Sequence, residues 1–251
     1  MNKRLFYLCM PGLLSMVSAC NGIFDDIYDK APEETHLEAG FRKYDEATGR
    51  GEVYLNVVSY KEWAYLDLRQ RTTTTLPIPE SLTGEWDGRS GWKYYQVTLP
   101  STFEHYETIP TDSMAEPPSW DIALHHYDVR TNGGEVLETP YSSIDQLLKE
   151  GDREQLLSQA FAPDTWTEHF AYYDLTGIYN YYIGYTQTWC NLTLTRWMDM
   201  NVENHPPTYT LSQKVYLVRM ADKSVAALHF KNYMSPTGAK GFVTIDYLYP
   251  Y

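Results

Sequence analysis

Residues Trp120 to Gly134, W-D-I-A-L-H-H-Y-D-V-R-T-N-G-G, constrain the fold of this 251-residue chain more than any other stretch. Ile122, Val129 and two aromatics favour extended backbone, and Asn132-Gly133-Gly134 supplies the φ freedom of a turn. The stretch therefore predicts a long strand followed by a glycine turn. His125 and His126 are adjacent in it, so on a strand they point to opposite faces. One is expected to satisfy a hydrogen bond in the core and the other to face solvent. Asp121, Asp128 and Arg130 are expected to be surface charges pairing across the sheet.

The same texture recurs along the chain. Val53-Leu55-Val57 alternates, Trp63 to Leu68 continues the pattern, and Trp92–Leu99 predicts a further strand. Thr72 to Pro79 is expected to be an exposed loop, and the proline-rich Pro100–Ser119 another. Gly177–Tyr185, Thr188–Val202, Lys214–Met220, Ser224–Tyr233 and Gly241–Tyr249 are all β-rich, with Ala221-Asp222-Lys223 as a tight turn. One segment breaks the pattern. Ser142 or Ser143 can cap a helix in which Ile144, Leu147 and Leu148 share a face, with Leu156-Leu157 following after Gly151. The fold class is a single, mostly antiparallel β domain with one or two short helices.

The N-terminus is expected to be a processing signal. Lys3 and Arg4 precede an apolar stretch, Leu5 to Val17, too short to span a bilayer, which takes about 20 residues. Val17-Ser18-Ala19-Cys20 fits the site at which a bacterial lipoprotein is cut and its cysteine acylated, so Cys20 is the expected lipidation site. A signal peptide over 1–19, a flexible tether over 20–48 and one β domain over 49–251 are the expected divisions. Without Lys3 and Arg4 the 20 basic residues fall to 18 against 33 acidic ones, a charge of −15. Such a chain is repelled by phosphate backbones, which argues against nucleic acid as a partner. With Cys9 removed and Cys20 lipidated, Cys190 has no partner for an internal disulfide and is expected to be a buried small hydrophobe.

Three blocks in order resemble the HmuY family of haem-binding lipoproteins of the Bacteroidetes: Gly51–Leu68, Trp120–Gly134, and a C-terminal block. That last block holds Pro207-Thr208-Tyr209, Val215-Tyr216-Leu217-Val218-Arg219, Ala227-Leu228-His229-Phe230 and the Tyr247–Tyr251 ending. The resemblance covers about half of the mature chain. It implies a β-rich HmuY-like domain that binds haem b as cargo and delivers it to a TonB-dependent outer-membrane receptor. It also implies an outer-membrane, lipid-anchored, surface-exposed location, which the acidic Asp25, Asp26 and Asp29 after Cys20 match.

The family's iron ligands are a histidine pair or a methionine pair, and this sequence departs from both. One ligand lies on the strand that begins at a Trp before the Pro-Thr-Tyr block, here Trp197-Met198-Asp199-Met200-Asn201-Val202. In register, Val202 occupies the ligand position, and valine cannot coordinate iron. Alternation puts Met198, Met200 and Val202 on one face, with Met200 about 7 Å back along the strand. Met200 is the preferred donor there, a soft thioether suited to ferrous haem; Met198 and His205 are the other candidates. The competing reading has both methionines lining the core. For the second, upstream ligand His169 is the nearest donor, with Tyr172 and Tyr173 behind it. The resemblance assigns His125 and His126 no ligand role, and His229 is expected to be a packed histidine.

Two other functions fit parts of the sequence. Seven Trp and 23 Tyr could provide stacking platforms for carbohydrate, so a surface lipoprotein of this fold binding carbohydrate or another planar, non-haem ligand is the alternative. Catalysis is not expected: G-x-S-x-G, H-E-x-x-H and phosphate-loop motifs are missing, and 33 acids make chance carboxylate pairs inevitable.

Overall fold

A computed structural model describes residues 37–77, 95–98, 102–105, 115–166, 171–174, 182–186, 188–201 and 208–251. A single compact unit runs from Glu38 to Tyr251. Its largest sheet contains β1 (Gly40–Asp45), β2 (Arg50–Asn56), β9 (Glu135–Glu138), β10 (Ala162–Pro163), β17 (Val215–Arg219), β18 (Val225–Met234) and β19 (Lys240–Leu248). The spatial order is β1-β2-β19-β18-β17-β9-β10, antiparallel throughout. A four-stranded antiparallel sheet follows the order β4 (Thr72–Pro77), β3 (Glu62–Asp67), β7 (Ile122–His125), β8 (Asp128–Thr131). A second four-stranded sheet joins β12 (Ala171–Asp174), β13 (Tyr182–Thr186), β5 (Tyr95–Thr98) and β6 (Thr102–His105). Two pairs complete the set: β11 (Thr165–Trp166) with β14 (Trp189–Cys190), and β15 (Met198–Asn201) with β16 (Thr208–Leu211). The predicted mostly antiparallel β fold is thus the observed one.

Strand alternation divides the interior into two clusters. On β17, Tyr216 and Val218 enter the main core while Val215 and Leu217 enter a second one; on β18, Ala226, Leu228 and Phe230 divide from Val225 and Ala227 in the same way. These strands are apolar on both faces because both are covered, and so they appear in the sequence as continuous apolar runs. The main core lies between this sheet and the inner face of the β3–β7–β8 sheet, which contributes Ala64, Leu66, Ile122, Leu124 and Val129.

The second cluster is closed by two short helices, α1 (Ile144–Glu150) and α2 (Arg153–Ser158). The Ser143 hydroxyl caps α1 by accepting from the Gln146 N–H at 3.0 Å, and Asp152 caps α2 in the same way through Gln155. Ile144 and Leu147 are buried, but Leu148 is 53% exposed, so it does not share their face. At 3.6 residues per turn Leu147 and Leu148 lie on opposite sides of Ile144, about 100° apart, so a seven-residue helix that docks along its 144–147 edge leaves Leu148 in solvent.

Four further expectations need correction. The folded part begins before residue 49: β1 lies inside the stretch assigned to the tether, paired with β2 and held by an Arg42–Glu52 ion pair at 2.5 Å and a Phe41–Tyr247 edge contact. Its turn into β2 needs Gly49, at φ +69, where a Cβ would lie 2.6 Å from the Tyr249 carbonyl oxygen. Thr72–Pro77 is a strand, not a loop; an edge position explains why its threonines remain mostly exposed. The Pro100–Ser119 stretch contains β6. Trp120–Gly134 is not one long strand but the hairpin β7–β8, reversing at His126-Tyr127, with His126 at φ +55. Alternation alone cannot reveal such a reversal, because a two-residue turn leaves the in–out pattern nearly continuous. The turn at Ala221-Asp222-Lys223 is present, with Lys223 at φ +71.

Candidate functional site

The hairpin carrying the candidate methionines is fixed at its base. Asn191 accepts the Leu194 N–H at 3.0 Å and starts a 3₁₀ turn, Leu194–Trp197, within the segment expected to be all strand. Trp197 ends that turn fully buried. Its indole N–H donates to the Tyr127 carbonyl at 3.0 Å, and its ring stacks on Phe230 with centroids 4.6 Å apart. β15 leaves from this anchor and pairs with β16 in the register Met198↔Leu211 and Met200↔Tyr209.

That register separates the two methionines. Met198 is 7% exposed and belongs to the main core, whereas Met200 is half-buried one pleat further out. Asp199 and Asn201 are exposed on the opposite face, as alternation predicts. Met200 lies directly across from Tyr209, whose ring stacks on Tyr233 at 5.6 Å and carries the Lys240 ammonium 4.2 Å from its centroid.

Behind Tyr233 lies a buried polar chain. The Tyr233 hydroxyl donates to His126 Nε2 at 2.6 Å, and His126 Nδ1–H donates to the Val57 carbonyl at 2.9 Å. This pairing requires a neutral imidazole. Burial holds the His126 pKa down at about 4 and pushes that of Tyr233 up, so neither group is charged near neutrality. His125 is fully buried on the other face, stacked on Trp63 at 5.0 Å, with Nε2 donating to the Tyr60 carbonyl at 2.6 Å. Neither histidine faces solvent, contrary to expectation, because His126 in the turn is packed against the Tyr60 and Tyr233 rings and His125 lies against Trp63. Arg130 is a second surprise. Expected at the surface, it is 4% exposed, with its guanidinium carbon 4.7 Å from the Trp63 ring centroid and 5.0 Å from that of Trp120.

The remaining candidates fall differently. His169, His205 and Val202 lie outside the described residues, as does Cys20; Tyr172 and Tyr173 belong to β12. His229 is buried in β18, and burial lowers its pKa. Cys190 is buried, and its thiol is raised well above the usual value by desolvation, which makes it an inert small hydrophobe as expected. Among the described residues no three His, Cys, Asp or Glu side chains converge as for a bare metal ion. Met200 is thus a partly accessible soft donor across from the Tyr209 ring. The Tyr209–Tyr233–His126 chain escaped sequence reasoning because it depends on register between distant strands. The only local hint was a tyrosine two residues after Pro207.

A family model for the HmuY protein matches residues 59–247. The chain belongs to the HmuY family. Among solved structures, a protein of Bacteroides vulgatus described as a candidate HmuY-like haem-binding protein is 32% identical. The match covers 85% of this chain and 99% of that one, with a TM-score of 0.67. A candidate lipoprotein of Bacteroides fragilis is 31% identical over 87% of this chain and 98% of that one, with a TM-score of 0.68. Apo PinO of a Porphyromonas, 23% identical over 80% of this chain and 96% of that one, shares the fold at a TM-score of 0.63. No curated protein matches the chain. The HmuY family is one of binding proteins, and haem is the ligand named for the Bacteroides vulgatus relative.

Proposed function

We propose that this protein is a lipid-anchored haemophore. It captures haem b at the outer-membrane surface and delivers it to a TonB-dependent receptor without chemical change. The observation that carries this reading is the match, at 32% identity over 99% of its length, to a relative described as a candidate haem binder. Cys20 holds the acyl anchor, and the acidic residues after it form the tether. The iron is held axially by Met200 and His169, with the porphyrin on apolar and aromatic side chains. Met200 suits this role because its thioether is half-buried rather than packed away, and because its hairpin is anchored through Trp197. Met198, already in the core, and His205 are the alternative donors. Thioether ligation favours the ferrous state, since a soft donor prefers the softer metal ion.

The test is absorbance of the haem-loaded mature chain in both oxidation states. A low-spin spectrum that is strongest on reduction, and that is lost in Met200→Ala and in His169→Ala, is expected. An unchanged ferrous spectrum in Met200→Ala would remove that residue from the ligand set.

A further inference from the structure

A cleft of about 310 Å³ opens at the opposite end of β8 from the His126 turn, beside Thr131–Gly134, and is thus built apart from the Met200 hairpin. Its lining includes Arg130, Trp120, Glu116, Asn132, Asp164 and Trp189. The volume is at the lower end of those that hold small ligands.

Two features of this cleft suit it to a ligand. First, Trp189 is 48% exposed, one of few large apolar side chains left in water among the described residues. Its ring is steadied edge-to-face by Trp166 at 5.6 Å and 73°, which leaves an indole surface beside the cleft. Second, Arg130 is a charge held ready in a dry setting. Its guanidinium lies among the rings of Trp63, Tyr65 and Trp120; one terminal nitrogen donates to the Tyr65 hydroxyl at 3.0 Å, and Nε is buried without a partner. Glu116 meets that same nitrogen at 2.8 Å, but its side chain is 39% exposed and comes from the strandless approach to β7. A desolvated arginine in an aromatic cage attracts a carboxylate strongly, and one supplied by an exposed side chain is exchangeable. Around it, Asp164 is held by Thr131 and Asn191, and Asn132 by its amide bond to the Trp120 carbonyl; the Asn132 amide oxygen and the remaining lone pairs of the Asp164 carboxyl are acceptors suited to the hydroxyls of a sugar ring.

We propose that this cleft is a second binding site, for a carboxylated sugar of the uronate class. The sugar's carboxylate replaces that of Glu116 on Arg130, and the apolar face of its ring lies on Trp189. Glu116 is then an internal competitor that keeps the arginine neutralised when the site is empty.

The test titrates the full mature chain with D-glucuronate, D-glucose and benzoate, read by tryptophan fluorescence and calorimetry. Glucuronate is expected to bind and the other two to bind at least about tenfold more weakly, since glucose lacks the carboxylate that Arg130 takes and benzoate lacks the hydroxyls that Asn132 and Asp164 take. Glu116→Gln is expected to tighten glucuronate binding, because it removes the competing charge. Trp189→Ala is expected to weaken it about tenfold, and its exposed position keeps the fold intact, which a thermal melt checks. No glucuronate binding in either the wild type or Glu116→Gln would overturn the proposal, as would binding unaffected by Trp189→Ala. Benzoate or glucose binding as tightly as glucuronate would overturn the assigned ligand class.

Discussion

At the scale of single residues, His126 and Arg130 show how burial converts a polar side chain into architecture. His126 has a positive φ and links the Val57 carbonyl to Tyr233 only while neutral. In the unfolded chain its imidazole gains a proton near pH 6.5, whereas in the folded protein it resists until about pH 4. Its contribution to stability is therefore complete above about pH 6.5 and is lost as pH falls through that window, by up to roughly 3 kcal/mol. Denaturant melts from pH 7 to 4 are expected to show that loss, and His126→Asn, which tolerates positive φ, is expected to flatten the slope. Tyr233→Phe removes the hydroxyl that donates to Nε2; it is expected to cost about 1–2 kcal/mol at neutral pH and to raise the histidine's pKa, seen by NMR titration. None of this was legible in the H-H-Y-D-V-R string. The sequence displays charge and periodicity, but not that the rings of Trp63, Tyr65 and Trp120 gather around His125 and Arg130 on one face.

At the scale of elements, alternation was a good guide where both neighbours of a strand were regular and a poor one at reversals and edges. β17 and β18 stood out as apolar runs joined by Ala221-Asp222-Lys223, and the structure has that hairpin. β4 was hidden because an edge strand needs no apolar face, and β1 because its charged residues pair with Glu52 instead of entering a core. Truncation tests the second point. A chain beginning at residue 38 is expected to melt with the full mature chain, whereas one beginning at residue 49 is expected to melt markedly lower, since it loses the β1–β2 ladder and the Phe41–Tyr247 contact. The helix offers a sharper contrast. Leu147→Ala empties a fully buried site and is expected to cost about 2–5 kcal/mol, while Leu148→Ala is expected to stay within about 0.5 kcal/mol. Chemical denaturation of the two variants compares them directly.

At the scale of the whole molecule, helices cover one face of the large sheet and the β3–β7–β8 sheet covers the other, while the β15–β16 hairpin extends from the core through Trp197. Family membership could be inferred from the sequence because its blocks coincide with these packed strands: Gly51–Leu68 spans β2 and β3, and Trp120–Gly134 spans β7 and β8. The site was less legible. A ligand is chosen by where one side chain emerges, and Met198 and Met200 differ in the sequence only by position, yet one is core and the other half-open. Whether this chain carries haem is decided by titrating the mature chain, residues 21–251, with haem and following the Soret band. A saturable, sharpened band at one haem per chain is expected, in the ferrous state above all. A titration with no specific Soret shift in either oxidation state would contradict it and assign this member of the HmuY family a different ligand.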